Sequence, residues 1–133
     1  MKSITDLFRE INNQNVLLEM ANIRAEEHRL GVNVMIHTFK EHVDQQLPHG
    51  PRVKVYSKVG ENQFNITISD NPKVIKSKSF LNAKDLSKIL FGIKKYKIPL
   101  LNFWYDISYV KYDMLSDMRM VDEGNGDDVE IRY

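Results

Sequence analysis

Projected at about 100° per residue, Lys84, Lys88 and Lys95 fall on one face of a helix, opposite Leu86, Ile89 and Ile93. Phe91 falls beside the lysines rather than with the apolar stripe. An aromatic ring among ammonium groups can stack on a nucleobase while the cations engage phosphates. The plainer alternative is a solvated lysine face with a phenylalanine covered by another segment. Lys54 and Lys58, with Lys73, Lys76 and Lys78, extend the basic set. Trp104, in the dense aromatic group with Phe103, Tyr105, Tyr109 and Tyr112, is either core packing or an interface anchor. The expected binding residues are thus Lys54, Lys58, Lys84, Lys88, Phe91, Lys95 and Trp104.

A second group bears on acid–base chemistry. His37, Glu41, His42, Asp44 and His49 lie within 13 residues, and imidazoles near carboxylates titrate close to neutral pH. With Arg52 and Lys54 to hold a phosphate or oxyanion, His42 and His49 would make a small toxin-like ribonuclease site. The spacing matches no established metal or catalytic pattern, and a surface loop of scattered polar residues reads equally well. Asp122, Glu123, Asn125, Asp127 and Asp128 lack the order of a calcium loop. No catalytic residue, metal or cofactor is assigned, and the chain reads as a binding protein more than an enzyme.

Charge is divided unevenly. Residues 51–100 hold 11 Lys/Arg against 3 Asp/Glu, whereas residues 101–133 hold 3 against 8 and residues 1–50 hold 5 against 7. A net charge of +1 conceals a basic middle and an acidic end, a pattern that steers acidic macromolecules toward the middle. The acidic end would be a solubility feature or a mimic of phosphate. The absence of cysteine excludes disulfides, thiolate metal sites and cysteine nucleophiles. No run approaches the roughly 18 apolar residues of a membrane span, and charges from Asp6 onward interrupt any signal-peptide core. The expected setting is a cytoplasmic protein of one domain.

These residues need elements to hold them. Ser3 and Asp6 open a helix carrying Ile4, Leu7, Phe8 and Ile11; Val16, Leu17, Met20, Ile23 and Leu30 continue the stripe to Gly31. Residues 1–30 therefore read as a helical hairpin, a surface through which a homodimer could form. From Val32 the period becomes two, with strands expected over 32–39, 52–59 and 64–68 and a short one at Val74 and Ile75. Asn82 and Asp85 cap a helix over 83–97, and Pro99 starts another running to Val110. Met118 to Val121 and Val129 to Tyr133 would pair across the Asp122 to Asp128 turn, or the end would fray.

The span 31–106 resembles a small bacterial domain family of unknown function found beside toxin–antitoxin-type partner genes. The resemblance rests on Glu41-His42, on Pro48-His49-Gly50-Pro51-Arg52-Val53 and on Leu100-Leu101-Asn102-Phe103-Trp104. These stand where the family has a D-H-N-P-P-H-x-H-V loop and strand and an L-L-x-N-W-like helix end. Glu41 replaces the family's Asp, extra residues separate His42 from Pro48, and Arg52 precedes the valine where the pattern has a second His. The likeness implies a bacterial or mobile-element setting. The expected fold is α+β: a small, mainly antiparallel sheet of three to four strands covered by C-terminal helices, with the N-terminal helical hairpin beside it. The 1–30 segment, a 31–110 core and an acidic 111–133 segment would make up one domain. The expected function is a non-enzymatic binding protein presenting a basic face to nucleic acid or to an acidic, nucleic-acid-handling protein. The ribonuclease and a dimerising scaffold are the alternatives.

Overall fold

Strands built with apolar residues at every second position can bury one face and wet the other, and the central strands here follow that pattern. The computed structural model describes residues 20–41, 50–57, 62–75 and 77–133. In chain order these form β1 (Met20–Ile23), α1 (Ala25–His28), β2 (Met35–Phe39), β3 (Arg52–Tyr56), β4 (Gln63–Thr67) and β5 (Val74–Ile75). Three helices follow, α2 (Ala83–Lys95), α3 (Lys97–Tyr105) and α4 (Lys111–Asp122), and then a 3₁₀ turn at Gly126–Asp128. The sheet is an antiparallel meander in the order β1-β2-β3-β4-β5. Ile23 opposes Ile36, Ile36 opposes Val55, and Val55 opposes Phe64, so one apolar row crosses four strands. That row is buried together with Ile89 and Ile93 of α2, Leu100 and Phe103 of α3, and Met114 and Met118 of α4. The helices therefore cover one side of the sheet.

The α+β class and the helical cover agree with the sequence reading, while the strand count and both ends of the chain differ. The sheet has five strands rather than three or four. The extra one is β1, which falls inside the expected helical hairpin. Met20 and Ile23 suit a helical stripe by spacing, but Ala21 and Ile23 suit a strand equally, and antiparallel pairing with β2 decides it. Only the single turn Ala25–His28 is helical in that stretch, and the remainder of the expected hairpin lies outside the described residues.

At the other end, α4 stands where a hairpin or a frayed tail was expected. Asp113 reaches back to accept from the Val110 N–H at 3.0 Å, closing the first turn. Gly124, at φ 84°, ends the helix: its N–H bonds to Val121 O and that of Asn125 to Met120 O, at 3.1 and 2.8 Å. The tail beyond is tied to α3 by Asn102, which donates to Glu130 O at 2.8 Å and accepts from the Arg132 N–H at 2.7 Å. Pro99 lies inside the first turn of α3, where no intrahelical donor is required, so the helix begins at Lys97 rather than at the proline.

Two buried polar groups fix the layers. Lys40, directly after β2, is 1% exposed. Its ammonium donates to Phe103 O, Asp106 O and Tyr109 O at 2.8, 2.6 and 2.7 Å, and lies 4.0 Å from the centre of the Phe103 ring. Three carbonyls at the end of α3 and in the following turn thus have one shared donor. Burial pulls this ammonium down to about 8, against the opposing pull of the Asp106 and Asp113 charges, which leaves it mostly charged at neutral pH. His28 joins α1 to the approach of β2. Its Nδ1 accepts from the Leu30 N–H at 3.2 Å, which places the ring proton on Nε2, 2.9 Å from Val34 O.

Lys40→Met should lower the free energy of unfolding by on the order of 3 kcal/mol, because it strands several buried acceptors; denaturant titration would measure this. His28 supplies a pH signature. Burial outweighs the Val34 hydrogen bond and the charges of Glu26 and Glu27, and holds the imidazole below 6.5. Its contribution to stability is full above about pH 6.5 and is lost as the pH falls through the lowered folded value. The thermal midpoint should drop between pH 7 and pH 5, and should drop less in His28→Gln.

Candidate functional site

The face of α2 turned away from the core carries Lys84, Lys88 and Phe91, all exposed, with Lys95 at its last turn. Phe91 is 68% exposed, one of several apolar side chains turned to solvent, with Tyr112 at 78% and Ile107 at 65%. No segment among the described residues covers it. What stands next to it is the loop that leaves α1. Arg29, at φ 55°, and Gly31, at φ 76°, both take left-handed backbone and turn the chain sharply over α2. Leu30 between them sits against Gly92. A Cβ at Gly92 would lie 2.5 Å from Leu30 Cδ2 and 2.6 Å from Cδ1, so no side chain other than hydrogen fits without moving the leucine.

This seating brings Arg29 across to the end of α4. Asp122 there accepts from Arg29 Nη2 at 2.8 Å, Lys95 Nζ at 2.7 Å and Tyr96 Oη at 2.6 Å. Burial pushes the Asp122 carboxyl up, but the hydrogen bonds from Lys95 and Tyr96 and the charges of Lys95 and Arg29 outweigh it, leaving the group below its ordinary value. The Tyr96 phenol moves the other way, raised by burial and by the bond to Asp122. A carboxylate at a helix C-terminus opposes the helix dipole, and the two cations offset that cost.

Arg29, Leu30, Lys88, Phe91, Lys95, Tyr96 and Asp122 line one open cavity of about 320 Å³, near the lower end of the roughly 300–1,000 Å³ range for ligand sites. Three cations against one carboxylate give the cavity a formal charge of +2. Lys95 and Arg29 are engaged with Asp122, whereas Lys88 has no ion pair among the described residues.

The structure thus brings Lys88, Phe91 and Lys95 to one cavity, with Lys84 one turn before Lys88 on the same helix. It does not bring Lys54 to them. Val53 and Val55 face the helices, so Lys54 points to the opposite side of the sheet, with Nζ 5.4 Å from the Phe39 ring centre. A basic surface running from β3 onto α2 through Lys54 is therefore not formed. Trp104, expected as an interface anchor, is 4% exposed and belongs to the interior.

Arg52, expected to hold an anion at the surface, is 1% exposed; it donates to Gly50 O at 3.3 Å, and its guanidinium lies 6.0 Å from the Trp104 ring centre. His42, His49 and Lys58 lie outside the described residues. His37 packs on Tyr56 with ring centres 4.2 Å apart and opposes Lys54 across the strands. Burial and the Lys54 charge hold its imidazole below 6.5. Among the described residues no cluster of three or more His, Asp or Glu is arranged to hold a metal ion, and no helix is long and apolar enough to cross a membrane.

No family model, curated protein or solved structure matches this chain. The site therefore stands on its own geometry. Sequence reasoning missed Arg29 and Asp122, whose only local signals were a basic residue two positions before a glycine and one acid among many in the C-terminal segment.

Gly92→Ala must displace Leu30, a cost partly offset by the roughly 0.5–1 kcal/mol that alanine gains over glycine inside a helix, so the net loss of stability should stay below about 2 kcal/mol. Leu30→Ala should cost less in the Gly92→Ala background than in the native chain, as expected of two residues sharing one contact. Chemical denaturation of the two single variants and the double variant gives the coupling.

Proposed function

We propose that this protein is a non-enzymatic binding protein whose α2 face and adjoining cavity take up nucleic acid. The observation that carries this reading is Phe91, bare to solvent between Lys88 and Lys95 and beside Arg29 on the rim of a cavity of net positive charge. A largely exposed ring flanked by cations is the combination that pairs stacking with phosphate neutralisation. The lysines of α2 itself, Lys84, Lys88 and Lys95, support the reading by attracting polyanions to this face. A bacterial or mobile-element setting, in keeping with the family resemblance, suits a small protein of this kind. Of the two anion holders the ribonuclease reading would use, Arg52 is buried, while its His42 and His49 lie outside the described residues.

Charge reversal at Lys84 and Lys88 tests the proposal. Both are exposed, and neither holds another element in place, whereas Lys95 also supports Asp122. Lys84→Glu with Lys88→Glu should weaken binding of a labelled 20-nucleotide probe at least ten-fold. It should also reduce the slope of log K against log salt by about 1–2, as counterions are no longer released at those positions. Unchanged affinity and slope would refute the assignment.

A further inference from the structure

Resting on the nucleic-acid reading above, we infer that the cavity accepts a single unpaired nucleotide, with its base stacked on Phe91 and its phosphate at Lys88, so that the ligand is single-stranded. The two chemical handles are set at the right scale. Phe91 follows Lys88 by three residues on α2, and residues three apart on a helix are neighbours with Cβ atoms about 5–6 Å apart. A base and its own phosphate can therefore be met by adjacent side chains of one helix. The π-face of a base is the part that Phe91 can use, and in a duplex that face is covered by the neighbouring base pairs.

The charges inside the cavity select the phosphate position. Asp122 holds Arg29 and Lys95 through hydrogen bonds of 2.8 and 2.7 Å, and its carboxylate repels a phosphate brought to that wall. Lys88 has no ion pair among the described residues and is free to take the anion without breaking a contact. The ring and Lys88 thus form the binding pair, while Asp122 keeps the far wall rigid. A smooth duplex backbone laid along α2 would engage Lys84 and Lys88 but would leave Phe91 pressed against sugar and phosphate with no base to stack on.

Fluorescence anisotropy with the full chain separates the outcomes, using a labelled 20-nucleotide single-stranded DNA and the duplex of the same sequence at one salt concentration. The single strand should bind at least ten-fold more tightly. Phe91→Ala should weaken that binding by roughly ten-fold, within the range measured for loss of one base–aromatic stack. It should leave the salt slope unchanged, since no charge is removed. Phe91→Trp should retain the affinity, and its indole emission should be quenched by the single strand. Duplex binding as tight as that of the single strand, dependent on Lys84 and Lys88, would overturn the single-strand inference while leaving the nucleic-acid reading in place. An unaltered affinity in Phe91→Ala would do the same. If neither probe binds, both fall.

Discussion

A buried ammonium joins the two layers of this protein. Lys40 leaves the sheet at the end of β2 and gives its three donors to carbonyls of Phe103, Asp106 and Tyr109. Helix ends leave backbone acceptors without intrahelical partners, and the layer interface offers them little water. One flexible four-carbon stem solves this at a single point, and in doing so sets where α3 stops and how the chain turns toward α4. Everything beyond Tyr105 depends on that turn. Tyr109 is buried after it, and α4 follows it to pack on α3 and bring Asp122 to the end of α2.

The second constraint is steric. Gly92 leaves a notch in α2 into which Leu30 fits, and the two left-handed residues on either side of Leu30 keep the loop tight. The cavity is therefore framed by parts of the chain that have little freedom: a helix face, a pinned loop and the last turn of another helix. Preorganisation of this kind lowers the ordering cost of binding. Asp122 completes it by drawing a guanidinium, an ammonium and a phenol to one carboxylate, which holds like charges near one another without a bound anion.

How much of this was legible in the sequence follows from the range of each interaction. The α2 face with Lys84, Lys88, Phe91 and Lys95 was readable because helical period is local and Asn82 with Asp85 marks the start. The central strands were readable because Val53, Val55, Phe64 and Ile66 alternate cleanly. β1 was not, since four residues fit either period and pairing with β2 decides between them. α4 was hidden for a different reason: glycines around Asn125 suggest a hairpin turn, while Met114, Met118 and Val121 at helical spacing are diluted by polar residues. Aromatic density placed Trp104 in an important region without saying which way it faced. Lys40 directly follows the strand expected to end at Phe39, and nothing near it in sequence announces the three carbonyls more than sixty residues away.

Arg29 and Asp122 are separated by 93 residues, as Glu27 and Lys111 are by 84. The sheet is a meander of sequential neighbours, so its pairings form between segments made one after another, and α2 is in place to cover it soon afterwards. The cavity wall is made last. During synthesis, when domains assemble from the N-terminal side at about 5–20 residues per second, a growing chain would present the lysines of α2 several seconds before Asp122 exists to organise Arg29 and Lys95. The ion pairs that order Arg29 and Lys95 form only once α4 has docked, so the shape of this cavity is a product of tertiary assembly rather than of α2 alone.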